Sequence, residues 1–233
     1  MKIHRFIIPS VEFGPRILIT DREITHQIAR VLNLTAGESV ILSNGTGRSA
    51  QGTIKSISSD EIVVSAELAC MDAAAAQRTV MLYVSILKRD NFELVVQKAA
   101  ELGVHTLVPI ISERTVKTGL NVGRLKVIAR EASELSGQSM LMNILEPLQL
   151  AEAITTEGAP CRFFLNAGAS ISLFEQLSKS KGTIALAVGP EGGWTKSETQ
   201  EARAAGWTET SLALTTLRGE TAAIAGAYLA TQT

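Results

Sequence analysis

Thr183-Ile-Ala-Leu-Ala-Val188 runs directly into Gly189-Pro-Glu-Gly-Gly-Trp194, and Thr195 follows with Glu198 three residues further on. The first segment is an apolar run of strand length with no polar alternation, the pattern of a strand covered on both faces. Thr195 and Glu198 have the spacing of a capping box, which starts a helix. Between them, glycines let main-chain N–H and C=O groups approach a ligand with no side chain in the way. A plain tight turn is the alternative, but a turn needs fewer glycines, and ligands favour the carboxyl ends of strands in open α/β sheets. No Walker Lys-Ser/Thr pair follows the glycines, which argues against a nucleoside triphosphate. Leu217-Arg218-Gly219-Glu220-Thr221-Ala222 repeats the arrangement, a loop leading into an apolar helix.

Outward from this stretch, everything after residue 79 alternates between strand and helix patterns. Strands are expected at Val80–Leu87, Val104–Ile110, Arg162–Leu165, Thr183–Val188 and roughly Thr210–Leu214. Helices are expected at about 91–102, 121–136, 149–156, 171–178, 195–205 and 219–231, with Gly103 and Gly206 as C-terminal stops. Such alternation predicts a mostly parallel sheet covered on both faces. Residues 1–70 read differently, as short β-branched segments at Arg16–Thr20, Ser39–Leu42, Gly52–Ile57 and Glu61–Leu68. One helix is expected there, Asp21–Leu32, capped by Asp21. Cys70–Arg78 lacks amphipathic periodicity and reads as a linker. The expectation is a small β-rich domain over 1–70 and an α/β domain over 79–233.

Several features have plain readings. Gly45-Thr-Gly-Arg-Ser-Ala50 matches the dinucleotide fingerprint in letters, but a strand follows where that fingerprint needs a helix, so Asn44-Gly45 reads as a hairpin turn. Lys98 and Glu101, spaced i, i+3, read as a local ion pair. Thr221–Ala230 is a helix of small residues, built for core packing or for a subunit interface. Cys70 and Cys161 are far apart, and His4, His26 and His105 are scattered, so neither a disulfide framework nor a metal centre is expected. The formal net charge is −1, and residues 1–70 hold seven basic and seven acidic side chains. A nucleic-acid partner therefore has to be gripped by a local patch. No apolar run has the length of a membrane span and no signal-peptide core is evident, so a cytoplasmic location without membrane attachment is expected.

Taken together, the ordered motifs resemble those of the bacterial 16S ribosomal RNA (uracil-N3)-methyltransferases, the RsmE family of SPOUT methyltransferases. The likeness runs nearly end to end: His4-Arg5-Phe6, His26-Gln-Ile-Ala-Arg-Val-Leu32, Gln97-Lys98-Ala-Ala-Glu101-Leu-Gly-Val104, Pro109 and Ser112-Glu113-Arg114-Thr115-Val116. Its most specific parts are Gly189–Gly193 with Glu198, and Leu217-Arg218 with Glu220-Thr221-Ala222.

The resemblance implies a PUA-like β-barrel followed by a SPOUT-type α/β domain tied in a C-terminal trefoil knot, an exception to the rule against threaded chains. It implies an enzyme, with S-adenosyl-L-methionine held by three loops: Leu165 and Asn166; Gly189, Pro190, Glu191, Gly192 and Gly193; and Leu212 through Ala222, with Leu217, Arg218, Thr221 and Ala222 in contact. It also implies a homodimer whose RNA site, on 16S ribosomal RNA of the small ribosomal subunit, spans both subunits. Arg218, the cation beside the cofactor loop, is assigned to stabilise charge on the uracil carbonyls, and Glu220 is a candidate base. Arg5, Arg30, Lys88, Lys98 and Arg114 are candidate RNA contacts. The chain departs from the family pattern at Asn33, Gln138, Met140 and Thr215, where arginine is usual, and at Ala213, where glycine is usual. Two alternatives accompany this expectation: the same scaffold acting on a different RNA target, or a non-catalytic RNA-binding or ribosome-assembly factor.

Overall fold

The computed structural model describes residues 3–58, 60–72, 78–116, 118–156 and 158–233. Two compact units emerge, one of 1–75 with 133–141 and one of 76–132 with 142–233.

The first unit is a five-stranded sheet built from β1 (His4–Ile7), β2 (Arg16–Ile19), β3 (Ser39–Ser43), β4 (Arg48–Ile57) and β5 (Ile62–Asp72). The strand order is β1-β3-β4-β5-β2, with β1 parallel to β3 and the remaining pairs antiparallel. Phe6, Ile17, Ile19, Ile28, Leu42, Ile54 and Val64 fill its core. Gly52 is required where the register shifts. A Cβ there would lie 2.6 Å from Val64 Cγ1 and 2.8 Å from the Ser65 carbonyl oxygen.

Asp21 caps its helix as expected, accepting from Glu23 N–H and Ile24 N–H at 2.9 and 3.1 Å. The α-helix covers only Arg22–His26 (α1), and Gln27–Val31 continues as a π turn. Asn33 then ends the run at φ 51°, a left-handed conformation that asparagine tolerates better than most residues. Of the expected linker, Cys70–Asp72 is strand, in register with Arg48–Ala50, and Arg78 opens the next strand. Residues 73–77 lie outside the described residues.

Residues 133–141 join this unit through groups that sequence patterns do not show. Ile7 N–H donates to Glu134 Oε1 at 2.8 Å, Ser43 Oγ donates to the Ser139 carbonyl at 2.8 Å, and Leu141 N–H donates to the Gly45 carbonyl at 2.8 Å.

The second unit contains β6 (Arg78–Ser85), β7 (Thr106–Ile111), β8 (Asn143–Ile144), β9 (Leu148–Gln149), β10 (Cys161–Leu165), β11 (Gly182–Val188) and β12 (Thr208–Thr210). The order is β12-β10-β11-β6-β7-β8, with β9 also on β7, and every pair is parallel. Successive side chains point to opposite faces. Leu82, Val84, Ile184, Leu186, Phe163 and Leu165 enter one core, with α2 (Arg89–Glu101), α3 (Val122–Ser136), α5 (Leu173–Lys179) and α7 (Gly219–Gln232). Tyr83, Ala185, Ala187 and Phe164 enter the other, with α4 (Leu150–Ala153) and α6 (Lys196–Ala204).

The small residues of helix α7 pack inward. Ala223, Gly226, Ala227 and Ala230 are buried on the sheet, and a Cβ on Gly226 would lie 2.8 Å from Leu186 Cδ2. That face is core. β12 corrects one expectation: it ends at Thr210, and the chain expected to extend it to Leu214 is loop instead.

Candidate active site

Three loops leave the carboxyl ends of parallel strands on one edge of the second sheet and enclose a cavity of about 620 Å³. The loop after β10 contributes Leu165, Asn166 and Ala167. The turn after β11 contributes Val188 through Trp194, and the segment between β12 and α7 contributes Leu212, Ala213 and Thr215 through Glu220, with Ala222. Lys88 and Asn91, around the start of α2, complete the wall. The volume is within the range of small-molecule and cofactor sites, roughly 300–1,000 Å³.

The glycines are placed by contact as well as by conformation. Trp194 folds back over Gly189, whose Cβ would lie 3.0 Å from the indole Cε2. The indole stacks on Phe164 at 4.4 Å, and its Nε1–H donates to the Leu165 carbonyl at 2.9 Å, binding the first two loops together. Gly193 has φ +66°, and its N–H closes the turn on the Pro190 carbonyl at 2.8 Å. Glu191 Oε1 accepts from Lys88 N–H at 3.0 Å and ties the turn to the start of α2. The expected capping box is formed: Glu198 N–H donates to Thr195 Oγ1 at 3.2 Å, and Glu198 Oε2 accepts from Thr195 N–H at 2.7 Å.

Main-chain donors are in surplus around the cavity. The N–H groups of Glu191, Gly192, Leu212, Ala213, Thr215, Thr216 and Leu217, all on lining residues, find no acceptor among the described residues. Arg218 is the N-cap of α7 but makes no side-chain cap, and among the described residues the N–H groups of Gly219, Glu220 and Thr221 have no acceptor either. The cavity therefore offers backbone donors, the partial positive charge of a helix start and an apolar floor.

Leu165, Asn166, Gly189, Pro190, Glu191, Gly192, Gly193, Leu212, Leu217, Arg218, Glu220 and Ala222 stand together in this wall. Thr221 does not. It lies on the exposed side of α7, because successive helical residues turn by about 100° and its neighbours Glu220 and Ala222 take the inward positions. Residues missed from sequence are Trp194 and Asn91, and Lys88, expected as an RNA contact, lines the cavity instead. Only Trp194 carried a signal, as a large aromatic directly after the glycines.

The candidate RNA-contacting cations fall in both units. Arg5 is half-buried in β1, and burial lowers its pKa below the ordinary arginine value. Arg30 is exposed on the π turn, Lys88 lines the cavity, and Lys98 pairs with Glu101 at 2.8 Å. Arg114 donates to the Gly192 carbonyl at 2.6 Å. Among the described residues, no group of three or more His, Cys, Asp or Glu could hold a metal ion, and no helix is long and apolar enough to cross a membrane.

A donor-rich cavity at the carboxyl edge of an open parallel sheet defines an α/β protein built to hold a small cofactor. Residues 74–230 match the model of the RNA methyltransferase domain, and residues 19–67 match that of the RNA methyltransferase PUA domain. The chain belongs to the RNA methyltransferase domain family. It is 29% identical over 228 residues to the ribosomal RNA small subunit methyltransferase E of Synechocystis, covering 93% of this chain and 73% of that protein. It is 27% identical over 239 residues to the protein of the same name from Rickettsia conorii, covering 96% and 93%. A crystal structure of ribosomal RNA small subunit methyltransferase E from Neisseria gonorrhoeae, bound to S-adenosyl methionine, superposes with a TM-score of 0.87 at 25% identity, covering 97% of this chain and 95% of its own.

Proposed function

We propose that this protein is an S-adenosylmethionine-dependent methyltransferase that acts in the cytoplasm on N3 of a uridine in 16S ribosomal RNA of the small ribosomal subunit. The observation that carries the reading is the 620 Å³ cavity walled by three strand-end loops with free main-chain donors. The residues present fit the cofactor. A nucleoside edge needs backbone partners and an apolar slot, which Leu212, Leu217, Val188 and Ala222 supply. Leu165, Asn166, Gly189 through Gly193, Leu212, Leu217, Arg218 and Ala222 would hold it. When bound there, S-adenosylmethionine supplies an electrophilic methyl group on a sulfonium.

The chain's own contribution is positioning and charge. Arg218 is exposed at the mouth of the cavity, and its guanidinium makes no hydrogen bond or ion pair among the described residues. It is available to a uracil carbonyl, where it would stabilise the negative charge that develops as N3 loses its proton. Glu220, half-buried in the first turn of α7, lines the same cavity and is the candidate proton acceptor. The reading includes a trefoil knot in the second unit, a domain division of 1–70 and 79–233 with residues 133–141 packed on the first domain, and RNA contacts from Arg5, Arg30, Lys88 and Lys98. It also includes a homodimer, for which Phe174 on α5 and Tyr228 on α7 offer large apolar side chains that are more than half exposed.

Two measurements test this. Calorimetry with S-adenosylmethionine should give saturable binding, and its absence would leave the non-catalytic RNA-binding reading. Mapping methylated uridines in ribosomal RNA from cells lacking the protein should reveal one missing N3-methyl group in the small subunit. Loss at another atom or in another RNA would select the alternative target.

A further inference from the structure

The turn after β7 and the turn after β11 are far apart in sequence, yet they are joined through named groups. Arg114 Nη1 donates to the Gly192 carbonyl at 2.6 Å, and the Trp194 carbonyl lies at 3.5 Å, too long to add much. The aliphatic stem of Arg114 lies along the same glycine: a Cβ on Gly192 would be 3.2 Å from Arg114 Cδ. Glu198, buried at the head of α6, accepts from Thr195 N–H with one oxygen and from Glu113 N–H with the other, the latter at 2.8 Å. The turn that carries Arg114 is itself closed, with Ser112 N–H on Thr115 Oγ1 at 2.9 Å and Thr115 N–H on the Ser112 carbonyl at 3.0 Å.

Two consecutive glycines, Gly192 and Gly193, have wide conformational freedom, and a ligand that needs one conformation must order them. A charged donor held on a closed turn removes that freedom beforehand. We propose that Arg114 is a positioning residue of the cofactor cavity, holding the Gly192 carbonyl so that the turn keeps its ligand-competent shape, and that RNA contact is not its role. The inference rests on the reading of the cavity as an S-adenosylmethionine site. Glu198 extends the device, because it fixes Glu113, and with it Arg114, to the helix that follows the glycine turn.

The test measures S-adenosylmethionine affinity without RNA, and ribosomal RNA fragment affinity over a salt series, for wild type, Arg114→Ala, Arg114→Gln and Gly192→Ala. Arg114→Ala should raise the cofactor Kd about tenfold, in keeping with loss of a charge-assisted hydrogen bond at a partly exposed site. It should also speed amide exchange at Gly193 in the ligand-free protein. RNA affinity and its salt slope should stay within twofold. Arg114→Gln keeps a donor without the charge and should recover part of the cofactor affinity. Gly192→Ala, which pushes on the arginine stem while leaving its charge in place, should weaken the cofactor in the same direction. Unchanged cofactor affinity and Gly193 exchange would overturn the proposal, all the more if the RNA salt slope falls by about one phosphate contact. Failure of the wild-type protein to bind S-adenosylmethionine at all would instead remove the site reading, and this inference with it.

Discussion

Two glycine-rich turns of this chain, Asn44–Arg48 and Gly189–Trp194, use the same residue to opposite ends. In the first, Gly45 at φ +75° and Gly47 at φ +99° close a hairpin between β3 and β4. Its polar groups are consumed within the protein. Asn44 N–H donates to the Arg48 carbonyl, Thr46 N–H donates to Asn44 Oδ1, Gly47 N–H donates to the Ser139 carbonyl, and the Gly45 carbonyl accepts from Leu141 N–H. In the second, glycines make room for Trp194 and Arg114, while the N–H groups of Glu191 and Gly192 are left without an acceptor among the described residues. Glycine content marks where a chain needs freedom; the fate of the main-chain hydrogen bonds decides whether a turn binds anything.

The largest expected contrast comes from the cavity side. Arg218→Ala should lower methyl transfer by about a hundred- to a thousandfold, as loss of one transition-state donor does, with cofactor Kd changed less than about threefold. Single-turnover kinetics beside calorimetry separates the two, and unchanged turnover would remove Arg218 from the chemistry. Next, Gly189→Ala puts a methyl group 3.0 Å from the Trp194 ring. It should weaken S-adenosylmethionine by about tenfold or more and shift Trp194 fluorescence, since overpacking moves the ring at a cost of about 1–3 kcal/mol. Gly45→Ala makes the opposite pattern. Its positive φ and a Cβ 3.3 Å from Ile7 Cγ2 should cost more than about 1 kcal/mol in urea unfolding while leaving cofactor affinity alone. Equal effects of the two glycine variants on cofactor binding would break the comparison. Smaller still, Thr195→Ala should cost about 1 kcal/mol through loss of the capping box. Lys98→Ala should change stability by less than about 0.5 kcal/mol, because its ion pair with Glu101 is partly exposed.

How far each part could be read in advance follows from how local its cause is. The strands β6, β10 and β11 and the helices around them were legible because burial on two faces leaves continuous apolar runs and helix caps leave paired residues such as Thr195 and Glu198. β8 and β9 were not, since two-residue strands carry no periodicity. β12 was placed too late because Leu212 and Leu214, apolar by type, sit in a loop, with Leu214 fully exposed and Leu212 against the cavity. The π turn at Gln27–Val31 escaped notice for a related reason: its pattern differs from an α-helix by a single residue per turn. The loops of the cavity were named in advance, but Lys88 and Asn91 joined the wall only through the crossing of α2 beside the glycine turn.

Sequence alone determined the alternating α/β order of the second unit, the β-rich character of the first, and the glycine turns at strand ends, since these follow from side-chain periodicity and backbone freedom within a few residues. Tertiary structure decided the rest: the attachment of residues 133–141 to the first unit, the inward turn of Trp194, and the engagement of Arg114 with Gly192. Those depend on contacts between segments far apart in the chain, where geometry in space, and no pattern along the chain, selects which donor meets which acceptor.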